Sequence, residues 1–312
     1  VAGALGVSLA PSEEREFDGG EHKARALVNV RDRDVYVLNL LSGDSQASAN
    51  DRLVRTLLFI GALKDAGAAR VTACVPYLPY ARKDRRTKPN DPVSTRYVAA
   101  MFEAVGADRV VVLDVHNLAA FENALRIPAI PLDTAPLFAR HVQSLAGDDD
   151  WVVASPDIGG VKRAQHLREL LAARFNYAVG SAFMDKQRSS GVLSGDTLVG
   201  DVAGKRVLIV DDIVSSGATM LRAVLACRKA GAAQVHLAAT HAVFAPAAMQ
   251  LFSGDRRDAQ PDSVVVTNSV CLPEAFASLV EHRLHVLDIA PLLAASIARL
   301  HDGQSVDDLC GF

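Results

Sequence analysis

The sequence predicts an α/β protein, with parallel sheets flanked by helices and organised as two similar domains. Three observations carry this prediction. First, Ala66-Gly67-Ala68-Ala69-Arg70-Val71, Val105-Gly106-Ala107-Asp108-Arg109-Val110 and Ala230-Gly231-Ala232-Ala233-Gln234-Val235 share one pattern: a helix closing at Gly, a short spacer and a β-branched strand. Gly is favoured just past a helix end because it accepts the left-handed conformation there. Second, the segments that follow are short, branched and apolar, as buried parallel strands require. Third, the pattern occurs in both halves, which points to an internal duplication, with chance likeness between ordinary α/β units as the alternative.

Taken in order, the chain begins at Val1 within what reads as the end of a helix, so its native start is expected upstream. A strand is predicted over 35–40, a helix over 51–66, and strands over 71–75 and 110–113. Pro128, Pro131 and Pro136 crowd the crossing between the halves. Gly147-Asp148-Asp149-Asp150 reads as a polar turn before a strand over 151–154. Strands over 207–210 and 235–239 and a closing helix over 291–300 complete the pattern.

The 312 residues suffice for two domains with sizeable cores. With 50% hydrophobic and 22% charged residues, no disordered segment is expected. A net charge of −3 argues against a general nucleic-acid or anionic-membrane surface. Cys74, Cys227, Cys271 and Cys310 are scattered without a C-x-x-C pair, and they read as small core residues in a reducing, cytoplasmic setting. No apolar run reaches the ~18–20 residues of a membrane span. The start lacks the basic-then-apolar order of a leader.

The strongest signal lies at Val207-Leu208-Ile209-Val210-Asp211-Asp212-Ile213-Val214-Ser215-Ser216-Gly217-Ala218-Thr219. A buried strand ends in two acids, and a run of hydroxyl and small residues then opens a helix. Backbone N–H groups of such a loop and the helix N-terminus can hold a phosphate. Asp211 and Asp212 can hold sugar hydroxyls or a hydrated Mg²⁺. Phosphate, polyol and metal together describe a phosphorylated sugar, while the alternative is a plain capped helix.

Four weaker signals accompany it. Arg82, Lys83, Arg85, Arg86 and Lys88 place five basic residues within seven positions, suited to a polyphosphate or to a solvated loop. His116 follows a buried strand in Asp114-Val115-His116, facing the crevice where α/β proteins bind ligands, or serving structure alone. Asp157, in Ser155-Pro156-Asp157-Ile158-Gly159-Gly160, fits a helix cap or a metal ligand. Met184-Asp185-Lys186-Gln187-Arg188-Ser189-Ser190-Gly191 reads as a mobile loop with two cations, or as an exposed hairpin.

The loop at 211–219 resembles the phosphoribosyl-diphosphate loop of the type I phosphoribosyltransferase fold. Together with the four other signals, Gly106-Ala107-Asp108, Gly200-Asp201-Val202, Val265-Val266-Thr267-Asn268 and His301-Asp302-Gly303-Gln304, nearly the whole chain resembles the ribose-phosphate diphosphokinase family. The resemblance implies two phosphoribosyltransferase-like domains with the active site between them. The expected division is 1–140, completed by 295–312, and 141–294. It also implies an enzyme that moves the β,γ-diphosphoryl group of ATP to the 1-hydroxyl of ribose 5-phosphate, with Mg²⁺ as cofactor, in a homo-oligomer, dimer or hexamer.

Residue by residue, the resemblance assigns Asp211 and Asp212 to the ribose hydroxyls, and Ser215, Ser216, Gly217, Ala218 and Thr219 to the 5-phosphate. Arg82, Lys83 and Asp84 match the nucleotide-binding run. Phe17 and Glu21 match a loop that reaches the adenine of a neighbouring subunit. His116 and Asp157 match Mg²⁺ positions, His116 also lying on the ATP and catalytic side. Lys186 and Arg188 match the flexible catalytic loop that closes over the transferring group. The sequence departs from the family pattern at Gly19, where many members carry a polar residue, at Lys83, where many carry Gln, and at Ser215, where many carry an acid. Two other readings compete: a phosphoribosyltransferase using a preformed donor, and a non-catalytic, synthetase-like regulatory subunit.

Overall fold

The computed structural model describes residues 1–145, 150–189, 192–253, 260–279 and 282–310. A short helix α1 (Ala2–Leu5) precedes a hairpin of β1 (Ser12–Glu16) and β2 (His22–Ala26). Then come β3 (Asp34–Leu38), α2 (Ala49–Asp65), β4 (Arg70–Cys74), α3 (Ser94–Ala104), β5 (Arg109–Leu113), α4 (Leu118–Ala124) and β6 (Ala129–Leu132). α2 opens on a capping box, in which Ser48 and Asp51 each satisfy the other's backbone N–H. Strands β3, β4, β5 and β6 lie side by side in that order, all parallel.

The second half begins with α5 (Ala135–Ser144) and β7 (Trp151–Ser155). It continues through α6 (Val161–Phe175), β8 (Gly180–Ser189), β9 (Val192–Val199), β10 (Arg206–Val214), α7 (Ala218–Lys229), β11 (Gln234–Ala242), β12 (Ser263–Thr267), β13 (Leu284–Leu287) and α8 (Ala290–His301). Its seven-stranded sheet runs β13-β12-β11-β10-β7-β8-β9, parallel except for the β8–β9 hairpin. The two halves thus share the expected α/β architecture.

Each sheet buries both faces, which explains the near-continuous apolar strands. In the first half, α2 and α3 cover one face through Leu57, Ile60 and Phe102. α8 returns from the far end of the chain to cover the other, packing Leu293 and Ile297 on Cys74, Val111 and Leu113. In the second half, α7 covers one face and α5 with α6 the other. Helix α5 spans residue 140, the expected division, and packs Phe138 and Val142 with Leu167 and Val153 of the seven-stranded sheet's layer. Three cysteines are buried and none of the four is disulfide-bonded. No helix among the described residues is long and apolar enough to cross a membrane.

One local expectation is corrected and one open alternative is decided. The acidic pair does not end its strand: β10 continues through Asp211 and Asp212 to Val214, because β11 keeps pairing with it as far as Ala242 after the β7 ladder stops at Ile209↔Ala154. Of the two readings of the segment from Met184, the backbone takes the hairpin, since β9 folds back on β8 and aligns Lys186 with Asp196 and Arg188 with Leu193. The side chains of Lys186 and Arg188, and residues 190–191 at the tip, lie outside the described residues.

Candidate active site

In the seven-stranded sheet, the connection from β7 leads through α6 to β8 on one side, while that from β10 leads through α7 to β11 on the other. This reversal opens a crevice at the carboxyl ends of β7 and β10, the place where open α/β sheets bind ligands. A cavity of about 930 Å³ occupies it and extends to the end of β5 in the other sheet.

The β10 side supplies the acids and the small-residue loop. Gly217 stands at φ 77°, in the left-handed region, just before α7. A Cβ there would come within 2.9 Å of Leu251 Cδ1, so only Gly fits this turn without displacing its neighbour. Asp211, Asp212, Ser215, Ser216, Gly217, Ala218 and Thr219 all line the cavity. The turn of backbone leads into the positive end of the α7 dipole, which suits an anion.

The β7 side supplies Asp157 and the first turn of α6. Asp157 Oδ1 accepts the Gly160 backbone N–H at 3.2 Å, so Asp157 caps this turn, and it also lines the cavity. Both readings of Asp157 from sequence therefore remain compatible with its place. Lys162, Arg163 and His166 of α6 face the same space.

The first half reaches in from β5. Asp114 adopts φ 37°, a left-handed turn that swings the chain after the strand. His116 then donates from Nδ1 to Asp212 Oδ2 at 2.9 Å, across the junction of the halves. This hydrogen bond raises the pKa of His116. Burial opposes ionisation of Asp212, but His116 and the Arg163 charge outweigh it and hold its carboxyl well below the usual range. Asp211 moves the other way, to about 7, through burial and the adjacent Asp212 charge.

On the cavity wall, Asp114 is half-buried and accepts from the hydroxyls of Thr134 and Thr240, one from each half. Burial lifts its carboxyl to about 6. Beside it, His241 donates to the Leu113 carbonyl at 3.0 Å and meets Ser269 Oγ at 2.8 Å. These contacts tie β5 to β11 and fix how the halves meet.

The basic run divides. Arg82, Asp84 and Arg85 line the cavity, and Asp84 accepts from Asn117 Nδ2 at 2.6 Å. Lys83 turns away, its ammonium 2.8 Å from Asp91 Oδ2. Phe17 and Glu21 occupy the turn of the β1–β2 hairpin, and neither lines this cavity; Phe17 is exposed. Sequence reading missed Arg163, His166 and Asp133, the last two an ion pair at 2.9 Å on the cavity wall. The one available signal was position: Lys162 and Arg163 follow the Gly159-Gly160 turn after a single residue, Val161.

Among the described residues, no group of three or more His, Cys, Asp or Glu is preassembled to hold a metal ion. The donors that line the cavity nonetheless include hard carboxylate oxygens, those of Asp157, Asp211 and Asp212 among them. They suit Mg²⁺, which retains waters and binds through one or two carboxylates plus substrate phosphates.

Residues 1–106 match the family described as the N-terminal domain of ribose phosphate pyrophosphokinase, and residues 121–270 match the phosphoribosyl transferase domain family. The chain is 34% identical to the ribose-phosphate pyrophosphokinase of Caldanaerobacter subterraneus subsp. tengcongensis, over 99% of this chain and 92% of that one. It is 35% identical to the enzyme of the same name from Granulibacter bethesdensis, over 99% and 94%. The crystal structure of phosphoribosylpyrophosphate synthetase from Mycobacterium smegmatis superposes with a TM-score of 0.83 at 33% identity, covering 97% of this chain and 94% of that one.

Proposed function

Since the chain belongs to the ribose-phosphate pyrophosphokinase family, we propose that it transfers the diphosphoryl group of ATP to the 1-hydroxyl of ribose 5-phosphate, giving 5-phosphoribosyl 1-diphosphate and AMP. The observation that carries this reading is the single cavity shared by both halves. A sugar-phosphate cradle on β10–α7 faces a basic run and His116 from the other sheet. A phosphoribosyltransferase with a preformed donor has no ATP to hold and no use for Arg82, Arg85 and His116 together.

In this reading Ser215 to Thr219 hold the 5-phosphate, and Asp211 and Asp212 receive ribose hydroxyls. Arg82 and Asp84 bind the nucleotide. The 1-hydroxyl oxygen attacks the β-phosphorus and gives up its proton to solvent, the bond from that phosphorus to the oxygen bridging it to the α-phosphorus breaks, and AMP leaves with the electron pair. Such transfers depend on in-line positioning and charge stabilisation rather than on covalent help. Lys186 and Arg188, on the hairpin beside the crevice, neutralise charge on the transferring group. His116 and Asp157 would hold Mg²⁺, which when bound would offset phosphate charge. Lys83 contributes once released from Asp91. Phe17 and Glu21 stand clear of their own chain's cavity, which supports a role at a neighbouring subunit's adenine and hence a homo-oligomer, dimer or hexamer.

Incubation with ATP, Mg²⁺ and ribose 5-phosphate should yield AMP and phosphoribosyl diphosphate in equal amounts. ADP as the nucleotide product would instead identify simple kinase chemistry. Tight substrate binding without turnover would identify a regulatory subunit.

A further inference from the structure

Two adjacent acids on a strand should diverge, because successive side chains point to opposite faces. Asp211 and Asp212 do not diverge: both present an Oδ1 to the same guanidinium nitrogen. Arg163 Nη1 lies 3.3 Å from Asp211 Oδ1 and 3.3 Å from Asp212 Oδ1. We propose that Arg163 is the positioning residue that gathers Asp211 and Asp212 onto one wall of the cavity as a single seat for the vicinal hydroxyls of the sugar. The inference rests on the reading above, in which the acidic pair receives ribose.

The local geometry explains how the seat is built. Asp211 Oδ1 also accepts the backbone N–H of Asp212 at 2.9 Å, which curls that side chain forward along β10. Two neighbouring carboxylates repel each other, and their burial strengthens the repulsion. His116 reaches Asp212, through Oδ2. Among the ion pairs of the described residues, Arg163 is the cation that spans both acids. Without it, Asp211 would be left to protonate or to swing away from its neighbour.

The approach of Arg163 is itself constructed. Ser155 Oγ donates to the Asp157 carbonyl at 2.6 Å, and Asp157 caps Gly160, which fixes the turn that starts α6. A Cβ on Gly160 would stand 2.7 Å from Ser155 Oγ and 3.7 Å from Arg163 Nη1. Glycine therefore leaves the Ser155 hydroxyl its place in this turn, with the guanidinium at ordinary contact distance beyond. A planar guanidinium presents several donors in a fixed fork, whereas an ammonium is a point charge. Both acids meet the one nitrogen Nη1, so lysine would restore the charge and lose only the reach and fixed plane of the guanidinium.

The test compares Arg163→Met and Arg163→Lys with the full wild-type chain. Steady-state KM is measured for each substrate, and ribose 5-phosphate binding is measured by calorimetry with α,β-methylene-ATP present. Loss of a charge-assisted contact network predicts that Arg163→Met raises both the KM and the Kd for ribose 5-phosphate roughly ten- to a hundredfold. The ATP KM should hold, and Arg163→Lys should fall between. Unchanged ribose 5-phosphate binding in Arg163→Met, or an equal rise in the ATP KM, overturns the proposal. If Arg163→Met does not fold, Arg163→Lys decides on the same readouts, provided its Tm matches wild type. Wild type that neither binds ribose 5-phosphate nor forms AMP refutes the functional reading. Wild-type binding that the variants match refutes the role of Arg163 alone.

Discussion

The junction between the halves should be sensitive to acid through His241. This imidazole is buried, and its neutral form satisfies both neighbours, with Nε2–H donating to the Leu113 carbonyl and Nδ1 facing the Ser269 hydroxyl. Burial pushes its pKa down from 6.5 to about 4. In the unfolded chain the same group titrates near 6.5, so between these values the unfolded state binds the extra proton. The stability associated with neutral His241 is therefore fully present above 6.5 and is lost progressively as the pH falls towards 4. At about pH 5 the loss works out at about 2 kcal/mol. Asp114 and Asp211, raised by burial, push the overall profile the opposite way in the same range, so wild type alone cannot isolate the effect. The difference between wild type and His241→Gln can, because the other groups are common to both. Urea unfolding followed by Trp151, the sole tryptophan and a buried one, gives the comparison. The stability advantage of wild type over the variant should shrink by about 2 kcal/mol between about pH 8 and pH 5. An advantage that does not change with pH would refute the assignment of a neutral, buried His241.

Three further outcomes follow from the site. Gly217→Ala forces a side chain into the left-handed region and against Leu251; the backbone cost of about 1–2 kcal/mol should raise the ribose 5-phosphate KM roughly five- to thirtyfold and leave the ATP KM alone, as steady-state kinetics will show. Lys186→Ala should lower kcat about 10²- to 10³-fold with little change in ribose 5-phosphate affinity, and unchanged turnover would remove Lys186 from catalysis. His116→Ala removes both a proposed Mg²⁺ ligand and the partner of Asp212, so the Mg²⁺ concentration for half-maximal activity should rise by about 10- to 100-fold.

The sequence made the strands and the glycine turn before α7 readable because their causes are local. Branched apolar runs and a glycine before a helix mean the same thing wherever the chain goes. Contacts between distant or differently oriented residues left no such mark. Arg82, Lys83 and Asp84 look alike as a run, yet only the outer two face the cavity, because Asp91 captures the Lys83 ammonium. Arg163 sits in an ordinary helical first turn, and nothing in its neighbours announces that Asp211 and Asp212, some fifty positions on, will meet it. The polar stretch after Met184 alternates poorly and leaves loop and hairpin equally open, and only the pairing with β9 decides for the hairpin.

Strand order decides which half hosts the chemistry. The seven-stranded sheet reverses direction between β7 and β10 and so opens a crevice of its own. The other sheet adds its strands in one direction, β3-β4-β5-β6, and has no such reversal. Its functional groups therefore have to be delivered to the neighbour's crevice. The left-handed turn at Asp114 and the two threonine hydroxyls that anchor it bring His116 to Asp212. A two-substrate site then arises where one half supplies the crevice and the other supplies reach. Contacts that set the angle between the halves, His241 and Asp114 above all, should for that reason affect turnover more than the affinity for either substrate alone.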